Sequence, residues 1–396
     1  MSYASNNLTR QMPVTVLCFS HLRWRFVFQR PQHLLTRYAQ LANVTFFEEP
    51  IYEERLDPHI ARSLDASGVT VATPLLPSDT PQQEVARIQA TLLDQYVLER
   101  NIDEFVAWYY TPMALLFSRH LKPALTVFDC MDELSAFQNA PAELHELESE
   151  LLSKADVVFA GGRSLYEARQ GRHSNVHEFP SSIDRSHFSA ANTPQQDPLD
   201  QSLIPHPRIG FFGVLDERLD RDLLSTLATA HAEWQFVLVG PVVKIRDEDL
   251  PRASNVHYLG RKEYGELPMY LANWDVAMLP FALNESTFFI SPTKTLEYLA
   301  ASRPVVSTPI RDVVEPYGRL GLVRIAATAD EFGAAIKRSL ERPSREWLEN
   351  VDRFLARTSW EETFDSMMKE MRNSFYMGPK TEVLEPLQKG GITTHV

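Results

Sequence analysis

Short apolar runs alternate with amphipathic helical patterns along this chain, and the alternation happens twice. Most of the runs are continuously apolar, as strands must be when helices cover both faces of a sheet. Strand and helix repeated in this order give a parallel sheet wrapped by helices. We therefore predict an α/β protein with two doubly wound, Rossmann-like domains that face a cleft. The predicted strands are 14–19, 44–48, 69–73, 105–109, 125–129, 156–161, 175–179, 208–213, 236–240, 256–260, 275–280, 304–308 and 321–325.

A polar, proline-rich segment separates the two halves. It reads SAANTPQQDPLDQSLIPHP from Ser189 to Pro207, a composition that is typical of a linker. A chain of 396 residues is long enough for two domains, which we place at 1–190 and 205–357. Sheets of this type bind ligands at the carboxyl ends of their strands, so the cleft between the two domains is the expected site.

The C-terminal region begins with a helix-capping pattern. Ser359 is followed three residues later by Glu362, which forms a capping box before a helical pattern. We predict a helix over 358–376 that crosses back to the first domain. The polar segment 377–396 contains a Gly-Gly pair and is predicted to be a disordered tail.

Composition excludes several classes of protein. The formal net charge of -13 argues against a nucleic-acid-binding protein that covers phosphates with a broad basic face. Two cysteines, Cys18 and Cys130, cannot build a disulfide framework or a structural zinc site. The P-loop, dinucleotide, zinc-protease and serine-hydrolase motifs are all absent. We expect a cytoplasmic protein without a signal peptide or membrane-spanning segment, and peripheral contact with a membrane remains open.

The stretch SPTKTLEYLAASRPVVSTP combines a helix start with two charges. Ser291 suits the N-cap position and Pro292 the first helical position. The free N–H groups at a helix start favour anions, Lys294 adds a cation, and Glu297 could accept hydrogen bonds from ribose hydroxyls. Such a set suits a nucleotide sugar. The alternative is an ordinary amphipathic helix with one exposed Lys–Glu pair.

The segment PTKTLEYLAASRPVV closely resembles the donor-binding region of retaining glycosyltransferases of family 4, which have the GT-B fold. GFFGVLDERLD and VLVGP resemble the first two strand–loop units of the donor domain of this family. CFSHLRWRFVFQRPQHLL resembles the first strand, loop and helix of the acceptor domain in bacterial cell-surface polysaccharide transferases. The resemblance extends over most of the chain and implies a GT-B enzyme with a donor-binding C-terminal domain.

The resemblance also implies a set of donor-binding residues. Lys294 and Arg218 are the expected phosphate-binding cations, which also assist catalysis, and we predict no metal cofactor. The sequence departs from the family at Phe289, where a first glutamate is expected, and at Val214 and Asp220, where cations are expected. The predicted donor-binding set is Gly213, Glu217, Arg218, Gly240, Pro292, Thr293, Lys294 and Glu297.

Acceptor binding is predicted from residues that follow strands of the first domain. Asp129 or Asp132 could orient or deprotonate an acceptor hydroxyl, the alternative being a carboxylate that caps the next helix or is simply solvated. His21 could act similarly, or it could be a structural histidine. The segment His21–Arg25, followed by Arg30, could form a sugar platform or bind an anionic carrier, or it could simply pack its own tryptophan.

These features predict transfer of a sugar from a UDP- or GDP-linked donor to a carbohydrate or lipid-linked acceptor in cell-surface glycan synthesis. Retention of anomeric configuration is implied by the resemblance alone. Two alternatives remain open: a nucleotide-sugar epimerase with the same donor pocket, and a non-catalytic protein that binds a nucleotide sugar or supports a partner enzyme.

Overall fold

The structure, a computed structural model, describes residues 11–377. The predicted tail therefore lies, from residue 378 onward, outside the described residues. Within the described part the chain forms two α/β domains, each built on a largely parallel sheet. The fold class predicted from the sequence is confirmed.

The first sheet has nine strands in the order β3-β5-β2-β1-β6-β7-β8-β9, with β4 paired to β5. Only the β4–β5 pairing is antiparallel in this part of the described chain. The strands are β1 (Thr15–Phe19), β2 (Asn43–Phe47), β3 (Ile51–Glu53), β4 (His59–Leu64), β5 (Thr70–Pro77), β6 (Val106–Tyr109), β7 (Leu125–Cys130), β8 (Val157–Ala160) and β9 (Val176–Glu178).

The second sheet has six strands, all parallel, in the order β12-β11-β10-β13-β14-β15. Its central strands are buried along almost their whole length, as the continuous apolar runs require. The strands are β10 (Arg208–Phe212), β11 (Gln235–Val239), β12 (Val256–Tyr258), β13 (Val276–Leu279), β14 (Val305–Ser307) and β15 (Val323–Ile325).

Helices cover both faces of each sheet. Their lengths range from single turns to the two long helices α2 and α14. The α-helices are α1 (Arg30–Tyr38), α2 (Gln82–Glu99), α3 (Leu115–Ser118), α4 (Leu144–Lys154), α5 (Arg163–Arg169), α6 (Arg185–Ser189), α7 (Arg221–Ala230), α8 (Leu267–Ala272), α9 (Glu285–Phe288), α10 (Lys294–Ala300), α11 (Arg311–Val313), α12 (Ala329–Ser339), α13 (Arg345–Leu355) and α14 (Trp360–Met377).

The segment predicted as a linker packs on the second domain. Ala191 and Ile204 are buried in the core of that domain. The Gln201 side chain is buried and accepts a hydrogen bond of 2.8 Å from the indole of Trp274. The polar composition therefore reflects buried, satisfied hydrogen bonds as well as exposed chain, and the segment is not a free linker.

Helix α14 crosses back to the first domain. The hydroxyl of Ser359 accepts a hydrogen bond of 3.1 Å from the N–H of Glu362, which fixes the start of the helix. Trp360, Met367 and Met371 are fully buried in the first domain's core, where α14 packs against β7, β8 and α1. Helix α14 therefore belongs to the packed core of the first domain although it follows the second domain in the sequence.

Polar contacts also join the domains across the cleft. The hydroxyl of Ser164 donates to the Asp312 carboxylate at 2.5 Å. Arg261 donates to the backbone carbonyl of Arg25 at 2.8 Å. These contacts bring the carboxyl ends of the two sheets close together.

Candidate functional site

Two glycine loops follow the central strands of the second sheet. Gly213 follows β10 and Gly240 follows β11, with φ of 144° and 148° respectively. A Cβ at Gly240 would lie 1.8 Å from the carbonyl oxygen of Gly213. A Cβ at Gly213 would lie 2.1 Å from Cε of Lys294. The two loops and the lysine therefore stack in direct contact, and only glycine fits at both positions.

Helix α10 brings Lys294 to this stack. Its first carbonyls belong to Pro292 and Thr293, which accept from the N–H groups of Thr295 and Leu296 at 3.0 Å. The turn therefore begins at the predicted proline, although the α-helix itself runs only from Lys294 to Ala300. No side chain caps it, so the predicted N-cap role of Ser291 is wrong.

The two charged groups of α10 occupy an unusual environment. Burial raises the pKa of Glu297 to about 7, and the nearby Lys294 ammonium opposes that rise. Burial also lowers the pKa of Lys294, an effect that Glu297 opposes and Arg218 strengthens. Glu297 is buried, Lys294 is partly exposed, and both line the same cavity. A ligand with phosphates near the lysine and hydroxyls near the carboxylate would supply the charge and the hydrogen bonds that the protein does not provide to these two groups.

Arg218 lies on the loop after β10. Its guanidinium forms a bidentate pair with Asp216, at 2.6 Å for the shorter contact. It also lies 5.2 Å from the ring centre of Phe137 in the first domain. Val214 and Asp220 stand at the two positions where the resembling family has cations. Val214 carries no charge, and Asp220 caps α7 by accepting a hydrogen bond of 2.8 Å from the N–H of Leu223. Arg218, on the loop after β10, and Lys294, in contact with Gly213, are thus two cations near the glycine loops.

A cavity of about 780 Å³ opens between the domains at this point. The second domain contributes Gly213, Gly240, Thr293, Lys294 and Glu297, and the first contributes residues 24–29 and 65–67. The volume is in the range of pockets that bind small molecules and cofactors.

Aromatic side chains form one wall of this cavity. Tyr264 stacks on Phe28 of the first domain, with ring centres 4.5 Å apart. The hydroxyl of Tyr264 is buried and has no hydrogen-bond partner among the described residues. Its pKa is raised by burial and by the neighbouring Glu297 charge. The wall thus combines an apolar ring surface with an unused hydrogen-bonding group.

The predicted site residues fall into three groups. Five line the cavity: Gly213, Gly240, Thr293, Lys294 and Glu297. Five others, Pro292, Arg218, Glu217, Asp132 and His21, are not among its lining residues. Of these, Pro292 directly precedes Thr293. Asp132 is partly exposed; desolvation raises the pKa of its carboxyl, and the charges of Arg218 and Lys294 oppose that rise. The third group is Asp129 alone, which lies in the core of the first domain.

Asp129 does not face the cleft. Its carboxylate is fully buried and pairs with the buried guanidinium of Arg30 at 2.8 Å. Arg30 also donates to the carbonyl of Phe179 at 2.7 Å. Both partners are needed to neutralise a charge pair inside the core, so the structure contradicts an acceptor-binding role for Asp129.

The first loop of the chain is also largely structural. Trp24 is buried and contacts Phe46 edge-on at 5.0 Å, which agrees with the packing alternative, while Trp24 and Arg25 also line the cavity. His21 is held in the neutral state, because burial and then Lys244 lower its pKa to about 4. Its Nδ1 is buried without a hydrogen-bond partner among the described residues.

Sequence reasoning missed Lys244 and Phe137. Lys244 follows β11 with φ of 64°, a left-handed conformation that is uncommon for a side-chain-bearing residue. Its ammonium lies 4.4 Å from the ring centre of Phe137. The loop after β11 could be predicted to face the cleft, but no local pattern indicated which of its residues would contact the other domain.

Two facing Rossmann-like domains, glycine loops at the carboxyl edge of the second sheet and a terminal helix that returns to the first domain define the GT-B fold. Solved structures agree over nearly the whole chain. Sucrose-phosphate synthase from Thermosynechococcus elongatus matches with a TM-score of 0.65 at 15% identity, covering 92% of this chain and 100% of that one. HepE of Anabaena in complex with UDP and glucose matches with a TM-score of 0.63 at 13% identity, covering 90% and 99% respectively.

Sequence comparisons identify the class of enzyme. Residues 206–342 match the family described as "Glycosyl transferases group 1". The chain is 26% identical over 306 residues to the "Putative teichuronic acid biosynthesis glycosyltransferase TuaH" of Bacillus subtilis (strain 168), covering 70% of this chain and 75% of that one. The protein is therefore a glycosyltransferase with a group 1 domain on the GT-B fold. Within residues 11–377, no helix is long and apolar enough to cross a membrane.

Proposed function

We propose that the protein transfers a sugar from a UDP- or GDP-linked donor to a carbohydrate or lipid-linked acceptor in the synthesis of a cell-surface polysaccharide. The cavity between the domains is the observation that carries this proposal. There the two glycine loops, Lys294 and Glu297 meet at the carboxyl edge of the second sheet. This arrangement offers a close backbone approach and a cation for a diphosphate, and a carboxylate for a ribose.

The same residues account for the chemistry. When the bond between sugar and diphosphate breaks, negative charge grows on the departing phosphate oxygen. Lys294 would donate to that oxygen, and one such donor typically contributes about 3–4 kcal/mol to transition-state stabilisation. Arg218 would add a second cation by moving part of its guanidinium from Asp216 to the phosphate. Glu297 would accept hydrogen bonds from the ribose.

The relatives support the substrate class. The name of the Bacillus subtilis relative assigns it to teichuronic acid biosynthesis, and the HepE structure contains UDP and glucose. We extend both to this chain as proposals: a uridine nucleotide is the first donor to test, and a cell-surface glycan is the expected product. A nucleotide-sugar donor also places the reaction at the cytoplasmic side, and a lipid-linked acceptor would bring the protein to the inner face of the membrane.

We further propose that the reaction retains anomeric configuration and needs no divalent ion. Retention follows from the resemblance of the α10 segment to retaining enzymes. Metal independence follows from the two cations, Lys294 and Arg218, that can neutralise the leaving diphosphate. Product analysis by proton NMR checks the first point, and activity in excess EDTA checks the second.

One observation favours a second candidate, a binding protein without catalytic activity. Phe289 stands where the resembling family has a glutamate, and it packs against the apolar cluster of the first domain. A carboxylate is therefore missing beside the donor. A protein of this kind would bind the nucleotide sugar but release no nucleoside diphosphate.

Binding and turnover distinguish the candidates. Thermal-shift and calorimetric titration with UDP, GDP, ADP and TDP should identify one nucleotide that binds, and Lys294→Ala and Glu297→Ala should each weaken it. Unchanged affinity in both variants would contradict the donor site. Steady release of nucleoside diphosphate from the matching nucleotide sugar would exclude the pure binding protein, whereas an epimerase would convert the sugar without an acceptor.

A further inference from the structure

Beyond the nucleotide cavity, Glu217 has an environment that the proposed donor site does not explain. Both carboxylate oxygens are buried, and neither accepts a hydrogen bond from the described residues. The nearest cation is the ammonium of Lys244, at 4.0 Å, which is at the outer limit for an ion pair. A buried carboxylate without hydrogen bonds costs several kcal/mol, so native proteins rarely keep one without a functional reason.

The groups around Glu217 come from both domains. Lys244 reaches over the ring of Phe137, which belongs to the first domain. Arg218, the residue after Glu217, lies over the same ring. Lys244 also acts on His21, whose Nδ1 is likewise buried and unused. The cleft thus holds a carboxylate, an ammonium and a neutral imidazole, with an aromatic ring between the two domains.

This set has the chemistry of a sugar subsite. The carboxylate and the imidazole nitrogen can accept hydrogen bonds from hydroxyls, and the ammonium can donate to them. None of Glu217, Lys244 and Phe137 lines the nucleotide cavity. Glu217 directly precedes Arg218 in the chain, and Arg218 and Lys244 lie over the same ring of Phe137. A diphosphate bound by Arg218 would therefore bring its attached sugar, or the sugar that receives it, close to this set.

We propose that Glu217, together with Lys244 and His21, binds the hydroxyls of a hexose next to the diphosphate, and that Phe137 covers this subsite when the cleft is closed. The proposal rests on the proposed function and deepens it. The hexose is either the donor's own sugar or the acceptor sugar, since both present the same hydroxyl groups. Two titrations distinguish these sources.

The first titration compares UDP with UDP-glucose on the wild type, Glu217→Ala, Glu217→Gln and the exposed control Glu346→Gln. The second adds glucose to the protein with and without saturating UDP. For a donor-sugar subsite, the affinity gained by UDP-glucose over UDP should fall at least tenfold in Glu217→Ala and about threefold in Glu217→Gln. For an acceptor subsite, glucose binding should fall by those factors instead. The affinity for UDP itself should stay within twofold in all variants.

A structural role for Glu217 predicts a different result. If the carboxylate stabilised the fold, Glu217→Gln would lower the melting temperature relative to Glu346→Gln. We expect it unchanged or raised, because the amide removes a buried charge whose oxygens accept no hydrogen bond from the described residues. The proposal is overturned if melting falls in Glu217→Gln, or if both sugar titrations are unaffected in Glu217→Ala. If UDP did not bind to the wild type, the proposed donor site would be wrong. The glucose titration without nucleotide would still test Glu217, because it compares glucose binding in the wild type and in the Glu217 variants.

Discussion

Replacement of Gly213 by alanine tests the contact on which the donor site depends. The added methyl group would lie 2.1 Å from Cε and 2.8 Å from Nζ of Lys294. Carbon atoms do not approach so closely, so the lysine side chain must leave its position or the loop must shift. The φ of 144° at this residue adds strain for any side-chain-bearing residue.

The size of the effect follows from two separate terms. Backbone strain of this kind costs about 1–3 kcal/mol of the free energy of unfolding. Loss of a charge-assisted hydrogen bond from Lys294 to a phosphate costs about 1.5–3 kcal/mol of binding free energy. The second term corresponds to a roughly 10- to 150-fold weaker affinity for the nucleoside diphosphate. Urea unfolding measures the first term and calorimetry the second.

A double-mutant cycle separates the lysine from the loop. Gly213→Ala, Lys294→Ala and the double variant are titrated with the nucleoside diphosphate, with Gly171→Ala as control because a Cβ there meets nothing within 4 Å. If alanine acts by displacing the lysine, the double variant should bind about as weakly as Lys294→Ala alone. Fully additive losses, or a Gly213→Ala variant that binds as tightly as the wild type, would refute the reasoning.

Three further predictions concern pH and stability. Because burial raises the pKa of Glu297 to about 7, the native state keeps a proton that the unfolded state releases. The contribution of Glu297 to the free energy of unfolding should therefore be full below about pH 4.5 and fall by up to about 3 kcal/mol as the pH rises through 7. Affinity for UDP-glucose should rise from pH 6 to 8. Glu297→Gln should flatten both profiles, which urea unfolding and calorimetry measure. Asp129→Asn leaves the Arg30 charge unpaired and should lower the free energy of unfolding by about 3–5 kcal/mol, with the affinity for UDP within twofold; an affinity loss without destabilisation would restore a binding role. Trp360→Ala removes a fully buried indole whose ring centre lies 4.5 Å from that of His33. It should lower the free energy of unfolding by about 3–5 kcal/mol in the same assay. A loss below about 1 kcal/mol would show that helix α14 contributes little to stability.

The sequence was sufficient to predict the fold because its strands are buried on both faces. Each continuous apolar run corresponds to a strand of one of the two sheets within a few residues. Strands β3 and β4 were not predicted, because their residues are mostly exposed and no apolar run marks them. Strand β4 joins the sheet through its antiparallel pairing with β5, to which only residues 65–69 connect it.

The part of the cavity that we propose to bind the donor could be located from the sequence for a related reason. Gly213 and Gly240 directly follow strands, and Lys294 and Glu297 stand one turn apart, so their placement depends on local geometry and on the parallel order of the sheet. Lys244 was missed because its importance comes from a residue more than a hundred positions away, Phe137. Contacts of this kind depend on how the two domains meet, which the sequence of either domain alone does not indicate.

Asp129 and Asp132, the two carboxylates predicted on the acceptor side, show how the placement of a side chain depends on where a strand ends. Strand β7 extends to Cys130, one residue beyond the predicted end, so Asp129 is still inside the sheet. Side chains alternate along a strand, and Asp129 therefore shares the face of Leu125 and Val127, which belongs to the core under α1 and α14. There Arg30, the first residue of α1, neutralises it. Asp132 comes after the strand has ended and is acted on by Arg218 and Lys294 of the other domain. Because β7 ends at Cys130, the Asp129 carboxylate lies in the core and the Asp132 carboxylate lies at the cleft.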